Sequence, residues 1–223
     1  MPNVFPEIKN GFNFECTLCG DCCVGDQDVL LNWYDLYNMA QFLSYEHTGQ
    51  LFTEQWIELV QDETQKVWRP KIRFKEKPFK FCPFLTNELD ERNELKGYCQ
   101  MHLHHKPLVC ALAPVGCRYD AQTHNTQFIL VPPTEDCPGM NRPKFNLLSD
   151  YLTGFEKALH FQAVFFEALE RLKQHGLSAA QFREHLYSFG VASPFEQILA
   201  TLIENLNHRF QINLTVEIRA ERV

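Results

Sequence analysis

The sequence has no long apolar run: stretches such as Phe128 to Val131 and Ala163 to Phe166 fall far short of the ~20 residues that a membrane-crossing helix needs. Met1 to Asn10 lacks the basic start and apolar run of a signal peptide, so the chain is expected to stay in the cytoplasm. Positive charge is in short supply. Lys plus Arg is 21 against 28 for Asp plus Glu, a formal charge of −7 and a pI near 5.7. That balance argues against a protein that coats nucleic acid by neutralising phosphates. There is no Walker loop, GxGxxG, HExxH or GxSxG motif, and no glycine-rich loop of the kind that cradles S-adenosylmethionine. No internal repeat or low-complexity segment occurs. Finally, no cysteine lies beyond residue 137.

What is present is an ordinary globular composition with one anomaly. Of 223 residues, 45% are hydrophobic and 22% charged, enough to bury a core. Nine are cysteine, and four of these fall within eight residues, at Cys16, Cys19, Cys22 and Cys23. Nine thiols are too few for a small disulfide scaffold, and their odd number leaves one over in any full pairing. In a reduced compartment, clustered cysteines read as metal ligands or redox groups.

Within Cys16-Thr-Leu-Cys19-Gly-Asp-Cys22-Cys23, two cysteines separated by two residues can turn both sulfurs toward one ion. Gly20 suits a tight turn behind the second, because positive φ costs glycine nothing. Were the segment helical, about 100° per residue would gather Cys16, Cys19 and Cys23 on one face and leave Cys22 further round. A four-coordinate site needs ligands from elsewhere. Cys82 in Phe81-Cys82-Pro83, Cys99 in Gly97-Tyr98-Cys99, Cys110 after Lys106-Pro107, and Cys137 before Pro138-Gly139 are the candidates. Prolines and glycines beside thiols are what a closely wrapped site uses to fix sulfur angles. Taken singly, each of these cysteines could instead be a small core hydrophobe.

Elements can be read along the chain. A helix is expected from Asn32 or Asp35 to about Tyr45, and a second short one from Thr53 through Ile57 and Val60. Lys66 to Lys75 alternates Trp68, Pro70, Ile72 and Phe74 with Arg69, Lys71 and Arg73, an edge strand because Pro70 cannot donate to a ladder. Its lysines and arginines read as a solvated edge that blocks association, with an anion-binding strip as the alternative. Gln127 to Pro132 is a further strand. Leu148, Leu152, Phe155, Leu159, Phe166 and Leu169 suggest one helix from Asn146 to His175, stopped by Gly176. Ser178 and Gln181 have capping-box spacing for a helix ending near Gly190. Ser193-Pro194-Phe195-Glu196 starts a third, with Ser193 as cap, and Ile212 to Ile218 alternates as a last strand. The expectation is an α+β fold, mainly helical: an irregular cysteine-rich metal-binding domain with a small sheet, residues 1–140. A helical C-terminal part, 141–223, packs on it as one unit, with the last strand joining the sheet near 66–74 or 127–132.

The ordered set of cysteines resembles the YkgJ-like cysteine-cluster family, whose members are described as chelating zinc or iron. The residues that carry the resemblance are Cys16-x-x-Cys19-Gly20-x-Cys22-Cys23, then Cys82-Pro83-Phe84-Leu85, then Gly97-Tyr98-Cys99-x-Met101-His102-x-x-x-Lys106-Pro107-x-x-Cys110, then Cys137-Pro138-Gly139. The likeness covers about residues 14 to 140. It departs in three places: one extra residue follows His102, Lys106 stands for the family's arginine, and so does Ala111. The resemblance implies that Cys16, Cys19, Cys22, Cys23, Cys82, Cys99, Cys110 and Cys137 are metal ligands and that Cys117 is not. His102 falls on a family position where tyrosine serves equally, so ligation by it is not required. The implied cofactor is an iron–sulfur cluster, of the four-iron type, with zinc as the alternative. The family extends to the N-terminal region of flagellin lysine-N-methylase. The expected function is therefore metal chelation serving electron transfer, metal handling or maturation of a partner protein, without nucleic acid or membrane. A protein-modifying enzyme and a purely structural zinc module are the alternatives.

Overall fold

The computed structural model describes residues 5–62, 66–102, 104–120, 123 and 125–215. The chain begins with strand β1 (Gly11–Asn13), a 3-10 turn at Asp21–Cys23, and helices α1 (Trp33–Phe42) and α2 (Gly49–Thr53). Three hairpins follow in sequence: β2 (Ile57–Asp62) with β3 (Val67–Ile72), β4 (Leu85–Leu89) with β5 (Leu95–Cys99), and, after the one-turn helix α3 (Leu108–Ala111), β6 (Val115–Asp120) with β7 (Asn125–Leu130). A 3-10 turn at Pro138–Asn141 leads to strand β8 (Phe145–Leu147) and helices α4 (Leu148–Leu152), α5 (Glu156–Leu172), α6 (Ala179–Leu186) and α7 (Phe195–Phe210).

The expectation of a mainly helical fold is corrected. Among the described residues helix makes up 37% and strand 23%, with four small two-stranded sheets, a balanced α+β fold. The strand content was underestimated because three hairpins are short and half-exposed, so their alternation is weak. The helix expected from Thr53 is one instance. α2 ends at Thr53, Gln55 takes φ 60°, and Ile57–Asp62 runs as β2 against β3. The expected edge strand is β3, with Pro70 opposite Leu59. Its outer side is lined by the Val29–Leu31 segment, where the Leu31 N–H donates to the Pro70 carbonyl at 2.8 Å. Arg69 departs from the solvated reading. Its guanidinium lies 5.3 Å from the centre of the Phe166 ring, and its buried Nε has no hydrogen-bond partner among the described residues.

The helix starts were legible and their lengths less so. Asn32 and Asp35 form a reciprocal capping box at α1, and Ser178 and Gln181 form one at α6. α6 stops at Leu186, and Gly190 instead bridges His47. At α7 the cap position falls on Pro194 rather than Ser193. The helix expected over 146–175 is interrupted: Thr153 is extended and Gly154 takes φ 87° between α4 and α5. Gly176 ends the following 3-10 turn at φ 60°, as expected of a left-handed cap. Residues 211–215 are not strand, although Ile212 and Leu214 are buried. Asn207 holds that segment by accepting from the Leu214 N–H at 2.6 Å and donating to its carbonyl at 2.7 Å. The rest of the expected last strand, residues 216–218, lies outside the described residues.

Two apolar clusters organise the molecule. The larger runs from Val29 to Leu214 and joins α1, β3, Phe84 and Met101 to the inner faces of α5, α6 and α7. The smaller gathers Ile8, Phe12, Phe14, Leu108, Leu112, Val115 and Cys137, with Tyr151, Leu152 and Phe155 against it. β1 pairs antiparallel with β8, so the segment before the first cysteine and the segment after the last one share a sheet.

Candidate metal centre

The cysteine segment is seated on the β4–β5 hairpin by two glycines. Gly20 caps the 3-10 turn at φ 80°, which an L side chain resists. The segment therefore makes the turn expected at Gly20, and the helical arrangement of Cys16, Cys19 and Cys23 is not adopted. Gly97 of β5 approaches it so closely that a Cβ there would lie 2.6 Å from the Gly20 Cα. The Gly97 N–H donates to the Leu18 carbonyl at 2.6 Å. At the end of the turn, the Cys82 N–H donates to the Cys23 carbonyl at 2.7 Å, and the Leu85 N–H closes a turn onto the Cys82 carbonyl at 3.1 Å. Leu85 in turn stands opposite Cys99 in the hairpin register. Cys23, Cys82 and Cys99 are thus stitched together by backbone alone.

Cys110 arrives on α3, whose first residue, Leu108, donates its N–H to the buried Asp35 carboxylate at 2.8 Å. Cys23, Cys82, Cys99 and Cys110 all pack on the larger core, and the Cys22 sulfur is 4.0 Å from that of Cys23. Several of these thiols feel one another's charge. Cys110 is pushed up, first by burial and then by Cys82, Cys22 and Cys99. Burial likewise raises Cys82 to about 11 and raises Cys99. The sulfur–sulfur contact favours ionisation of Cys22, lowered to about 6, at the expense of Cys23, which holds its proton. The Lys106 ammonium acts on Cys22, Cys99 and Cys110 in the opposite sense to burial, favouring their thiolates.

The other expected ligands are Cys16, Cys19 and Cys137. Cys137 is buried in the smaller core against Phe12 and Phe14. Cys16 is exposed, and its charge acts on Tyr151, in that same region. The two segments meet where the Glu15 N–H donates to the Gly139 carbonyl at 3.2 Å. Cys19 is exposed, and burial, then the Asp21 side chain, raises its thiol. Cys117 packs on the smaller core, where burial pushes it up to about 11 despite a hydrogen bond with Gln162. His102 is exposed, its N–H donating to the Cys99 carbonyl at 3.0 Å. The His105 ring lies tilted at 49° to that of Phe42, with centroids 5.9 Å apart.

Among the described residues, no three His, Cys, Asp or Glu side chains are arranged so that they could hold a metal ion as they stand. The donor chemistry nonetheless fits a thiophilic group: soft thiols from four chain segments, a neighbouring cation and an apolar wall. Lys106 and Asp35 were not singled out by sequence reasoning as parts of the site. Lys106 was noted only as half of a Lys-Pro pair, and Asp35 only as a helix start. Comparison with family models, curated proteins and solved structures returns no match. Among the described residues, no helix is long and apolar enough to cross a membrane.

Proposed function

We propose that this chain is a metal-chelating cysteine-cluster protein. In this reading Cys22, Cys23, Cys82, Cys99 and Cys110 supply the principal ligands, and the occupant is an iron–sulfur cluster of the four-iron type. The observation that carries it is the convergence of thiols from four separated segments into one electrostatically coupled group beside Lys106. An apolar protein has no reason to gather thiols that raise one another's pKa, whereas a bound cation reverses that cost. The resemblance of the ordered cysteine pattern to the YkgJ-like family supports the same reading.

When bound, such a cluster supplies one-electron transfer. The chain's own contribution is to present the thiols, to offset their negative charge with Lys106, and to shield one side with Phe84, Leu85 and Met101. The Cys22–Cys23 contact favours one thiolate in that pair at neutral pH. The function that follows is electron transfer, metal handling or maturation of a protein partner.

The test is anaerobic purification with assays of iron, acid-labile sulfide and zinc, alongside a visible spectrum. Brown protein with matched iron and sulfide is expected, and a colourless zinc protein would replace iron–sulfur with zinc. Serine at Cys23, Cys82 or Cys110 should lower metal content and soluble yield, because ligation and folding are coupled. Cys117→Ser should leave metal content unchanged. Protein that retains no metal of any kind overturns the reading.

A further inference from the structure

Helix α3 is a single turn of four residues, Leu108–Ala111, and no side chain caps its start from within. A helix that short has no stability of its own, and its first N–H groups need acceptors. The Leu108 N–H finds one outside: the Asp35 Oδ1 accepts it at 2.8 Å, from 73 residues earlier in the chain. The other oxygen of the same carboxylate, Oδ2, accepts the Asn32 N–H at 2.9 Å, while the Asn32 side chain accepts from the Asp35 N–H at 3.0 Å. Asp35 is buried, with 2% of its surface exposed.

This use of both oxygens sets Asp35 apart from an ordinary capping residue. In the box at α6, Gln181 serves with a single amide oxygen. An amide at position 35 has one acceptor and would point its NH2 at one of the two N–H donors. A carboxylate satisfies both, which accounts for an ionisable group in a site that penalises its charge. Through it the N-terminus of α3 is fixed to the N-terminus of α1, itself anchored in the larger core by Trp33, Leu36 and Met39. Cys110 follows directly, its own N–H donating to the Pro107 carbonyl at 2.9 Å.

We infer that Asp35 is a positioning residue for the thiol group, holding α3 so that Cys110 stands with Cys22, Cys82 and Cys99. This rests on the metal-chelating reading above. Partners of this kind, behind the ligands, commonly govern metal affinity by 10–100-fold, a range of roughly one to two decades.

The experiment titrates the full-length chain anaerobically with cobalt(II) alone. It follows the thiolate-to-cobalt charge-transfer band and competition with a chelator, with circular dichroism recorded for each protein. Asp35→Asn should stay folded, lose band intensity to the level of Cys110→Ser, and bind cobalt about 10-fold or more weakly. The double variant Asp35→Asn/Cys110→Ser should be no weaker than Cys110→Ser alone, because both changes remove the same thiolate. An Asp35→Asn protein with the wild-type band and affinity overturns the positioning role and leaves the metal reading standing. A wild-type chain that shows no thiolate-to-cobalt band overturns both. A measurement on the unaltered chain covers the case in which Asp35→Asn does not fold. Before cobalt is added, the Leu108 amide proton should exchange as slowly as those of α1, and fast exchange overturns the role.

Discussion

At the scale of single residues, the site is held by side chains that are absent or unusually placed. Gly97 is the plainest case. A methyl group there would sit 2.6 Å from the Gly20 Cα and 3.1 Å from the Gly20 nitrogen, both backbone atoms that cannot swing aside. Gly97→Ala should therefore push the cysteine turn off the hairpin, costing about 1–3 kcal/mol and lowering metal content. Urea unfolding with a parallel metal assay checks this, and an unchanged midpoint and metal load would refute it. Asp35 carries a pH prediction with a definite sign. Burial, the largest influence, raises its carboxyl from 3.8 to about 6. Between those values the folded state holds the proton more tightly than the unfolded chain, so the contribution of Asp35 to stability falls as pH rises through the window. The full loss is about 3 kcal/mol by pH 7. Asp35→Asn does not titrate there, so the stability of the wild type relative to the variant should decline by about that amount between roughly pH 2 and pH 7. A flat difference would contradict it. The cysteines were visible in the sequence because four in eight residues have no ordinary explanation. Asp35 was not, because a carboxylate at the third helical position is commonplace until a distant N–H is found on its second oxygen.

At the scale of elements, local signals were read correctly where they were chemical and misread where they were only periodic. Capping boxes at Asn32 and Ser178 name specific hydrogen bonds, and both form. Ser178→Ala should lower stability by about 1 kcal/mol, measurable as a shift in the unfolding midpoint, with no change in metal content because α6 carries no thiol. The apolar stripe from Leu148 to Leu172 was read as one helix because its spacing survives the break at Gly154. The structure gives the reason. Leu148, Tyr151, Leu152, Phe155 and Leu159 serve the smaller cluster, whereas Phe161, Phe165, Leu169 and Leu172 serve the larger. Two faces aimed at two cores look like one continuous stripe in a linear sequence. The same blindness hid β2: Ile57, Leu59 and Val60 fit a helix or a strand until the partner β3 is known. Hairpins defined by their partner, and thiols gathered by long-range backbone bonds such as Cys82 to Cys23, lie beyond what local pattern can report.

At the scale of the whole molecule, the thiol group and the C-terminal helices share one core. Cys82, Phe84 and Met101 belong to the same buried cluster as Phe165, Leu169, Leu199 and Leu206, and β1 is paired with β8 across the point where the cysteines end. Burying even five leucine or phenylalanine side chains is worth roughly 8–15 kcal/mol gross, before chain entropy is subtracted. The helices α5, α6 and α7 place more than that number of buried leucines and phenylalanines in the cluster they share with α1 and β3. Residues 141–223 consequently have no complete core without the cysteine part, and the cysteine part is built of two-stranded sheets that are marginal alone. Metal bound at the thiols should therefore stabilise the entire chain through mass action on a single cooperative unit. Limited proteolysis with and without a strong chelator tests this. Removing the metal should open cleavage sites in both halves together, including the exposed faces of α6 and α7, which carry no thiol. Survival of residues 141–223 as an intact, soluble, protease-resistant fragment would show that the helices fold on their own and that the metal orders only the part of the chain around it.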